Sequence, residues 1–514
     1  MSATAQPRPA SRAGRFGLTQ PMLPFVGSAI VLAIAIALQT RWVVNPDVSW
    51  DISICQRLLD GERLYVDIIE TNPPFTIWLY LPAVYLANLL GVPAEYLVHG
   101  YAYAICLVGL GFAALIARRA DFPENPKLFA LMPAFLALLV LLPGNSFSER
   151  EQFGVALLLP LLVLMAWRAS RPLVDPGLAT AVLAGLTGSV IVLIKPYYAV
   201  VILAPALYVA WRRRSVLALL APEYWAVAAA GAAYVTCVMW LYPEFLRDVY
   251  PLLAETYMRI RQPLEFMLVR AAPPALTLWL LRLLLPGRPQ SPLVIVLAIA
   301  SLAALLPMIY QGKGWTYHLY PAIVLCLAAL LCRLAQASTA DDGGRRGAAS
   351  MLLVAFAAVA NAAPFLEANN PGARVVAAIR GATDSPTVGM VGSDLAVGHP
   401  LTRMVGGRWL SAYCSDWLGA FSAYLGKATE FEGNAKRAAF YEEITERYID
   451  AKLAEFDPAG PDLLLFQKDD PFWTDRLLQR QAFVTLLERD YHLLIEDEAM
   501  RVYLRNGAPR MDQR

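Results

Sequence analysis

Residues 45–74 read NPDVSWDISICQRLLDGERLYVDIIETNPP, and they separate two apolar runs of the chain, 21–39 and 75–91. This stretch contains six acidic residues: Asp47, Asp51, Asp60, Glu62, Asp67 and Glu70. Two arginines, Arg57 and Arg63, lie among them. A charged segment between apolar runs is either a solvated connection or the place where reacting groups collect. The topology of the surrounding chain decides between these two interpretations.

The composition is that of a membrane protein. Of the 514 residues, 58% are hydrophobic and only 16% are charged, and the mean hydropathy is +0.48. Soluble domains carry about a quarter charged residues. Uncharged runs at 131–143, 292–307 and 351–365 approach, with their flanks, the roughly 20 residues that a helix needs to span hydrocarbon. The net charge of +2 is too small to indicate a nucleic-acid partner.

The distribution of lysine and arginine orients the chain. The N-terminal tail, 1–20, carries Arg8, Arg12 and Arg15 without an acid and is predicted to be cytoplasmic. Because no small-residue cleavage site follows it, the run 21–39 is predicted to be an uncleaved anchor and not a signal peptide. Placing the later basic clusters inside as well predicts about eleven transmembrane helices, at 21–39, 97–117, 127–143, 152–167, 177–194, 197–211, 219–241, 271–286, 292–309, 319–336 and 350–366.

In this topology the run 75–91 does not span, because the later basic clusters would then lie outside. We predict an interfacial or partly inserted amphipathic helix there, consistent with its Trp78, Tyr80 and Tyr85. The helix belongs to the first extracytoplasmic loop, 40–96. The loop is part of a polytopic α-helical transmembrane domain, at 21–366.

The chain changes character after this domain. Residues 367–514 have ordinary polar spacing and short apolar runs, which predicts a soluble α/β domain on the extracytoplasmic (periplasmic) side. The elements predicted in it are two buried strands, a hairpin and a helix with paired charges, at 387–392, 462–467, 491–506 and 431–456. Cys55 and Cys414 fall on the same side of the membrane, where a disulfide between them could form.

The same topology brings five loops to one membrane face. Besides the first loop, the outward segments are 144–154, 191–199, 242–266 and 311–321. Ionisable residues at membrane depth are functional candidates by default. The ionisable and aromatic residues of these loops that matter here are Glu149, Arg150, Glu151, Lys195, Lys313, Trp315, Tyr317 and His318. Lys195 and Lys313 are either snorkelling lysines or cations that hold an anionic group such as a lipid phosphate.

The acids of the first loop divide into two sets. Asp47 and Asp51 lie four residues apart at the start of a candidate helix, so their side chains share one face. Glu70 precedes Thr-Asn-Pro-Pro, whose prolines fix an extended entry into the next segment and hold the carboxylate at the membrane surface. The remaining acids are interpreted as solvating residues: Asp60, Glu62 and Asp67.

These motifs resemble those of the GT-C superfamily of glycosyltransferases. The shared order is an apolar span, an aspartate, an amphipathic helix ending in Asp-Gly, and an acid-x-x-Pro-Pro before an aromatic helix. The resemblance covers about residues 21–321 and is greatest to the protein O-mannosyltransferase and lipid A aminoarabinose transferase branch. It implies a membrane enzyme of the inner (plasma) membrane that takes a sugar from a polyprenyl-phosphate carrier.

The resemblance also implies roles for individual residues. Asp47 occupies the position of the catalytic base, with Asp51 and Glu70 as supporting acids. The residues implied to bind the donor phosphate are Lys195, Lys313, Arg150 and His318, and those implied to bind substrate are Glu149, Glu151, Tyr317 and Trp315. Asn72 stands where relatives carry a basic residue. Some relatives hold Mg²⁺ or Mn²⁺, for which Asp47 and Glu149 are the candidate oxygen ligands.

The function so implied is an inverting transfer of the sugar to the hydroxyl of a lipid, glycan or protein acceptor outside the cytoplasm. Two alternatives stay open: a transporter or flippase of a lipid-linked glycan, and a ligase that moves a preassembled glycan. The sequence contains no internal repeat, and its charges gather at one membrane face. Both features favour the transferase over a transporter, whose charges are expected near the bilayer midplane.

Overall fold

The computed structural model describes residues 22–120, 122, 124–170, 174–284, 290–337, 355–366, 372–456 and 460–508. The predicted cytoplasmic tail and residues 350–354 of the last predicted span lie outside these ranges. The helices of the first part of the chain are α1 (Leu23–Gln39), α2 (Pro46–Leu59), α3 (Phe75–Leu90), α4 (Ala94–Ala120), α5 (Asn125–Leu128), α6 (Met132–Val140), α7 (Arg150–Ala169), α8 (Leu178–Ile194), α9 (Ala199–Arg213), α10 (Pro222–Leu241), α11 (Tyr250–Glu255), α12 (Leu264–Leu284), α13 (Pro292–Gln311), α14 (Thr316–Ala337) and α15 (Ala355–Phe365).

Five helices among the described residues are long and apolar enough to cross a membrane: α4, α7, α10, α13 and α14. Each corresponds to one of the predicted spans. The other predicted spans also fall on helices, but α1, α8 and α15 are shorter, and the span at 127–143 is broken between α5 and α6. The mostly helical, multi-pass architecture is therefore confirmed, while the total of eleven crossings stays a prediction.

Helix α7 is the centre of the bundle. It packs against α4, α8, α9, α13 and α14, and nearly all of its side chains are buried. Gly109 of α4 permits a close approach, because a Cβ atom there would lie 2.1 Å from the carbonyl oxygen of Ala156 in α7. Since α7 begins at Arg150, this packing fixes the charged residues Arg150 and Glu151 at one end of the bundle core.

Helix α3 occupies the run that we predict to be interfacial. It has 16 residues, fewer than the roughly 20 that span hydrocarbon. The helix packs against α2, α4 and α8, and the indole of Trp78 donates to the hydroxyl of Tyr242 at 3.1 Å. Whether α3 lies in the interface stays a prediction, and its short length is consistent with it.

The C-terminal part contains a mixed sheet. Over the described residues its strands are β1 (Thr387–Val391), β2 (Arg408–Trp409), β3 (Leu463–Gln467), β4 (Tyr491–Glu496) and β5 (Met500–Arg505), in the order β2-β1-β3-β5-β4. Strand β1 is parallel to β2 and β3, and β5 is antiparallel to β3 and β4. The helices around the sheet are α16 (Ala373–Ala382), α17 (Leu395–Gly398), α18 (Leu401–Met404), α19 (Trp417–Phe431), α20 (Ala435–Phe456), α21 (Pro471–Leu478) and α22 (Gln481–Asp490). The two predicted strands, the hairpin and the predicted helix are confirmed.

The C-terminal part packs directly on the first loop. The backbone N–H of Ile69 donates to the carbonyl oxygen of Ala412 at 2.8 Å. Arg57, at the end of α2, donates through Nη1 to the carbonyl oxygen of Ser411 at 2.7 Å. The first loop is therefore held by the helical bundle on one side and by the C-terminal part on the other.

Cys55 and Cys414 are both free thiols. Cys55 is buried in α2, where its Sγ lies 3.6 Å from the carbonyl oxygen of Ile77. The disulfide that the sequence allows between Cys55 and Cys414 is therefore not formed.

Candidate active site

The first turn of α2 presents two carboxylates to one cation. The helix begins well because Asn45 Oδ1 accepts from the backbone N–H of Asp47 at 2.8 Å and Pro46 is preset for the first helical position. Asp47 Oδ1 lies 3.4 Å from Arg150 Nη2. One turn later, Asp51 Oδ2 lies 3.0 Å from Arg150 Nη1. The predicted common face of Asp47 and Asp51 is thus confirmed.

Asp47 is the accessible member of this group. Its side chain is 28% exposed, whereas the side chains of Asp51 and Arg150 are 1% and 2% exposed. A buried charge is tolerated only when it is paired, and Asp51 supplies the closer pairing to Arg150. Asp47 is therefore the carboxylate that an incoming molecule can reach.

A second ion pair lies beside the first. Lys195 Nζ lies 2.7 Å from Glu151 Oε1, and both side chains are buried. The ammonium also donates to Gln311 Oε1 at 3.2 Å and lies 3.1 Å from His318 Nε2. Because the ammonium is buried and turned into the bundle, the snorkelling alternative does not hold for Lys195.

Tyr317 connects the two ion pairs. Its ring centroid lies 5.7 Å from Arg150 Cζ and 5.5 Å from Lys195 Nζ, within the range of cation–π attraction. Trp315 lies at the rim, with its ring 5.7 Å from that of Tyr317 and 42% of its surface exposed. We call the following residues the ion-pair cluster: Asp47, Asp51, Arg150, Glu151, Lys195, Tyr317 and His318.

Several buried polar atoms in and beside the cluster have no hydrogen-bond partner within the described chain. They include both carboxylate oxygens of Glu149, the Tyr317 hydroxyl, His318 Nδ1 and Gln311 Nε2, together with one atom each of Asp51, Arg150 and Glu151. Burial raises the pKa of Glu149 well above its ordinary value, and the nearby Asp47 carboxylate raises it further. Each unsatisfied buried group costs about 1–3 kcal/mol. Several unsatisfied buried polar atoms close together are typical of a binding site, where a ligand supplies their hydrogen bonds.

Glu70 is buried and is held by neutral donors. Its Oε2 accepts from Trp50 Nε1 at 2.6 Å. Its Oε1 accepts from the backbone N–H of Asn72 at 2.8 Å and from Asn72 Nδ2 at 2.6 Å. Asn72, at the position where the resemblance implies a basic residue, therefore supplies two hydrogen bonds to Glu70.

The electrostatics favour a proton-accepting role for Asp47. Burial raises the pKa of Asp47 above its ordinary value, Arg150 and Lys195 oppose this rise, and Glu70 and Glu151 reinforce it. A carboxylate with a raised pKa that is still ionised at working pH is a stronger proton acceptor than an ordinary one.

Lys313 lies outside the ion-pair cluster. Its Nζ donates to the carbonyl oxygens of Tyr257 and Ile260 at 2.6 and 2.8 Å, and it lies 3.9 Å from the centroid of the Tyr257 ring. Burial, with Arg261 nearby, lowers its pKa to about 8. In this arrangement Lys313 fastens its own loop to residues 257–260, and its implied contact with a donor phosphate stays a prediction.

Two residues of the site are absent from the sequence prediction. Gln311 is the last residue of α13, and its amide oxygen accepts from Lys195. A polar residue closing an apolar run just before Gly-Lys-Gly is a usable signal for it. Tyr257 contacts the rings of Trp315 and Trp417, at 6.4 and 5.5 Å, but it lies in the long loop 242–266 without a distinguishing pattern.

The residues do not fit a divalent metal in this arrangement. No three metal-ligating side chains are grouped suitably within the described ranges. Asp47, a candidate ligand, is paired with Arg150, and Asp51 and Glu151 are likewise paired with cations, so that only Glu149 among these four acids has no ion pair within the described residues. The Mg²⁺ or Mn²⁺ that the resemblance allows stays untested, and we assign it no step.

The fold of the helical bundle and the appended sheet is shared with a solved structure. The chain is similar to the crystal structure of ArnT from Cupriavidus metallidurans in the apo state. The TM-score is 0.54 at 15% identity, and the alignment covers 92% of this chain and 97% of ArnT. No protein-family model and no curated protein matches the sequence. At this identity the similarity establishes the fold alone.

Proposed function

We propose that the protein is an inverting glycosyltransferase that moves a sugar from a polyprenyl-phosphate carrier to an acceptor hydroxyl on the extracytoplasmic face of the inner (plasma) membrane. The acceptor is a lipid, a glycan or a protein. One observation carries the proposal: the partly exposed Asp47 carboxylate lies 3.4 Å from the buried guanidinium of Arg150, beside a second buried cation, Lys195. The GT-C fold supports it.

In the proposed reaction Asp47 is the base. The acceptor hydroxyl gives its proton to the Asp47 carboxylate while its oxygen bonds to the anomeric carbon of the sugar. The bond from that carbon to the phosphate oxygen breaks, and the lipid phosphate leaves with the electron pair. Attack opposite the leaving phosphate inverts the anomeric centre.

Arg150 and Lys195 stabilise the negative charge that develops on the leaving phosphate. Asp51 and Glu151 hold these two cations in place before the donor binds. Removing one positioned donor of this kind typically lowers kcat by roughly 10² to 10³.

Neutral donors complete the proposed phosphate site. The hydroxyl of Tyr317 and Nε2 of Gln311 have no partner among the described residues, and both adjoin the cations. A hydrogen bond from such a buried donor to a phosphate oxygen is especially favourable, because the donor has already lost its hydrogen bonds to water on folding. Trp315 and Lys313 would then lie at the rim, where the substrates enter.

The test is transfer by the purified protein in proteoliposomes. Polyprenyl phosphates carrying different radiolabelled sugars are supplied together with an envelope extract as acceptor. We expect label in an acceptor fraction and an equal amount of free polyprenyl phosphate. Movement of intact labelled carrier across the bilayer without bond cleavage would contradict the proposal and favour a flippase. Reaction only with pyrophosphate-linked oligosaccharides would favour a ligase.

A further inference from the structure

A ring of contacts between the first loop and the C-terminal part encloses Glu70. On the loop side, Trp50 Nε1 donates to Glu70 Oε2 at 2.6 Å. On the other side, the preceding residue, Ile69, donates through its backbone N–H to the carbonyl oxygen of Ala412 at 2.8 Å. The position of the Glu70 carboxylate therefore depends on both parts of the chain.

His399 closes this ring. Its imidazole lies between two indoles, with ring centroids 5.2 Å from Trp50 and 4.5 Å from Trp409. Trp409 Nε1 in turn donates at 2.8 Å to the carbonyl oxygen of Tyr413, which follows Ala412. A path of contacts therefore runs from Glu70 through Trp50 and His399 to Trp409. From there it continues through Tyr413 to Ala412, whose carbonyl oxygen accepts from Ile69.

His399 contributes by packing. The residue is fully buried, and neither ring nitrogen has a hydrogen-bond partner among the residues that the structure describes. Burial, with Arg403 and Arg57 nearby, lowers its pKa to about 3, so the ring is neutral near pH 7. A neutral ring without polar contacts acts through its shape. Phenylalanine at position 399 should therefore preserve the packing of the imidazole, whereas alanine should not.

We propose that His399 is a positioning residue that acts through Trp50 to hold the Glu70 carboxylate in the active site. The C-terminal domain thereby completes the site and is not an independent appendage. Without the imidazole, the Trp50 indole gains room to change rotamer, and its hydrogen bond to Glu70 weakens. Glu70 lies close enough to Asp47 to raise the pKa of that carboxyl, and a misplacement of about 1 Å in such a site can lower the rate by roughly 100-fold. The catalytic part of the inference rests on the proposed glycosyl transfer.

The experiment is a double-mutant cycle in the full-length protein. We expect His399→Ala and Trp50→Phe each to lower kcat about tenfold, with the KM for the donor changed less than twofold. The double variant should be no slower than Trp50→Phe alone, because both changes break the same path. His399→Phe should restore kcat to within about twofold of wild type. His492→Ala, a control at an exposed histidine of the same domain, should have no effect.

Three results would overturn the inference: an unchanged kcat in His399→Ala, losses that multiply in the double variant, or no rescue by phenylalanine. Hydrogen–deuterium exchange of residues 68–72 gives a second readout that needs no substrate. We expect faster exchange there in His399→Ala and wild-type exchange in His399→Phe. Unchanged exchange in His399→Ala would also overturn it. If wild-type protein transfers no sugar, the proposed function fails, but the exchange result still tests the positioning role. If His399→Ala does not fold, His399→Leu takes its place in both measurements.

Discussion

The carboxylate of Asp416 and the guanidinium of Arg150 are both buried, one in the C-terminal part and the other at the end of the helical bundle. Asp416 is fully satisfied, because its two oxygens accept from four donors: Lys452 Nζ at 3.1 Å, Tyr448 Oη at 2.8 Å, Trp473 Nε1 at 2.9 Å and the backbone N–H of Gly392 at 3.0 Å. The surroundings of Arg150 are different. Within the described chain, Glu149, Tyr317, His318 and Gln311 all keep polar atoms without a partner.

We interpret the difference as one between a group that stabilises the fold and the proposed ligand site. A buried carboxylate whose two oxygens are both fully hydrogen-bonded is fixed in one conformation and has no acceptor capacity left for a ligand. A buried network with several unsatisfied atoms is costly to the fold, and it is retained where another molecule supplies the missing partners. The comparison predicts that changes at Asp416 affect stability, whereas changes around Arg150 affect catalysis.

The largest effect on stability is expected for Asp416→Asn. The substitution removes the charge that pairs with the buried ammonium of Lys452, and breaking a buried pair from one side costs about 3–5 kcal/mol. We expect a matching fall in the free energy of unfolding of the C-terminal domain, measured by pulse proteolysis of the full-length protein. Asp475→Asn, at an exposed position of α21, is the control and should be neutral. If the Asp416 and Asp475 variants resist proteolysis equally, Asp416 does not stabilise the fold and the comparison is contradicted.

A loss of activity without a loss of stability is expected for the double variant Lys195→Met/Glu151→Gln. The two changes together remove a buried ion pair and leave no lone charge, so stability should stay near that of wild type. Transfer should fall about 100-fold, because a positioned cation for the leaving phosphate is lost. Lys195→Met alone should be both inactive and unstable, since Glu151 is left buried and unpaired. A double variant with wild-type activity would show that this pair is structural.

The pH dependence of transfer follows from Asp47. Its pKa is raised by burial, and a base works only when it is deprotonated, so activity is full above that pKa and is lost as the pH falls through it. We expect kcat/KM to fall about tenfold per pH unit on the acid side, with a midpoint above the ordinary aspartate value. In the stable double variant Lys195→Met/Glu151→Gln the midpoint should move to higher pH, because Lys195 lowers this pKa more than Glu151 raises it. If the midpoint is the same with and without Lys195, the group that titrates lies outside the ion-pair cluster.

The smallest effect is expected for Lys313→Met. The ammonium of Lys313 is bound to two backbone carbonyls and does not contact the ion-pair cluster. We expect transfer to fall less than about fivefold, compared with about 100-fold for the change at Lys195. Both variants are assayed side by side with the same donor. A loss as large as that at Lys195 would place Lys313 at the donor phosphate.

Local sequence patterns predicted the elements well. The four-residue spacing of Asp47 and Asp51 gave their common face, and the apolar runs gave the positions of the helices and of β1 and β3. The pairings within the site were not predictable, because Asp51 and Arg150 are 99 residues apart and meet only through the packing of the bundle. His399 gave no signal at all, since a histidine in an ordinary turn acquires its role only when Trp50 and Trp409 close around it.

The central claim, that Asp47 is the base of a glycosyl transfer, is tested most directly by Asp47→Asn in proteoliposomes. Because the side chain is partly exposed and Arg150 keeps its pairing with Asp51, we expect unchanged thermal stability and donor binding. Sugar transfer should fall by roughly 10² to 10⁴, the contribution of a general base. Asp60→Asn, at an exposed acid of the same loop, should retain wild-type activity. Wild-type transfer by Asp47→Asn would contradict the assignment.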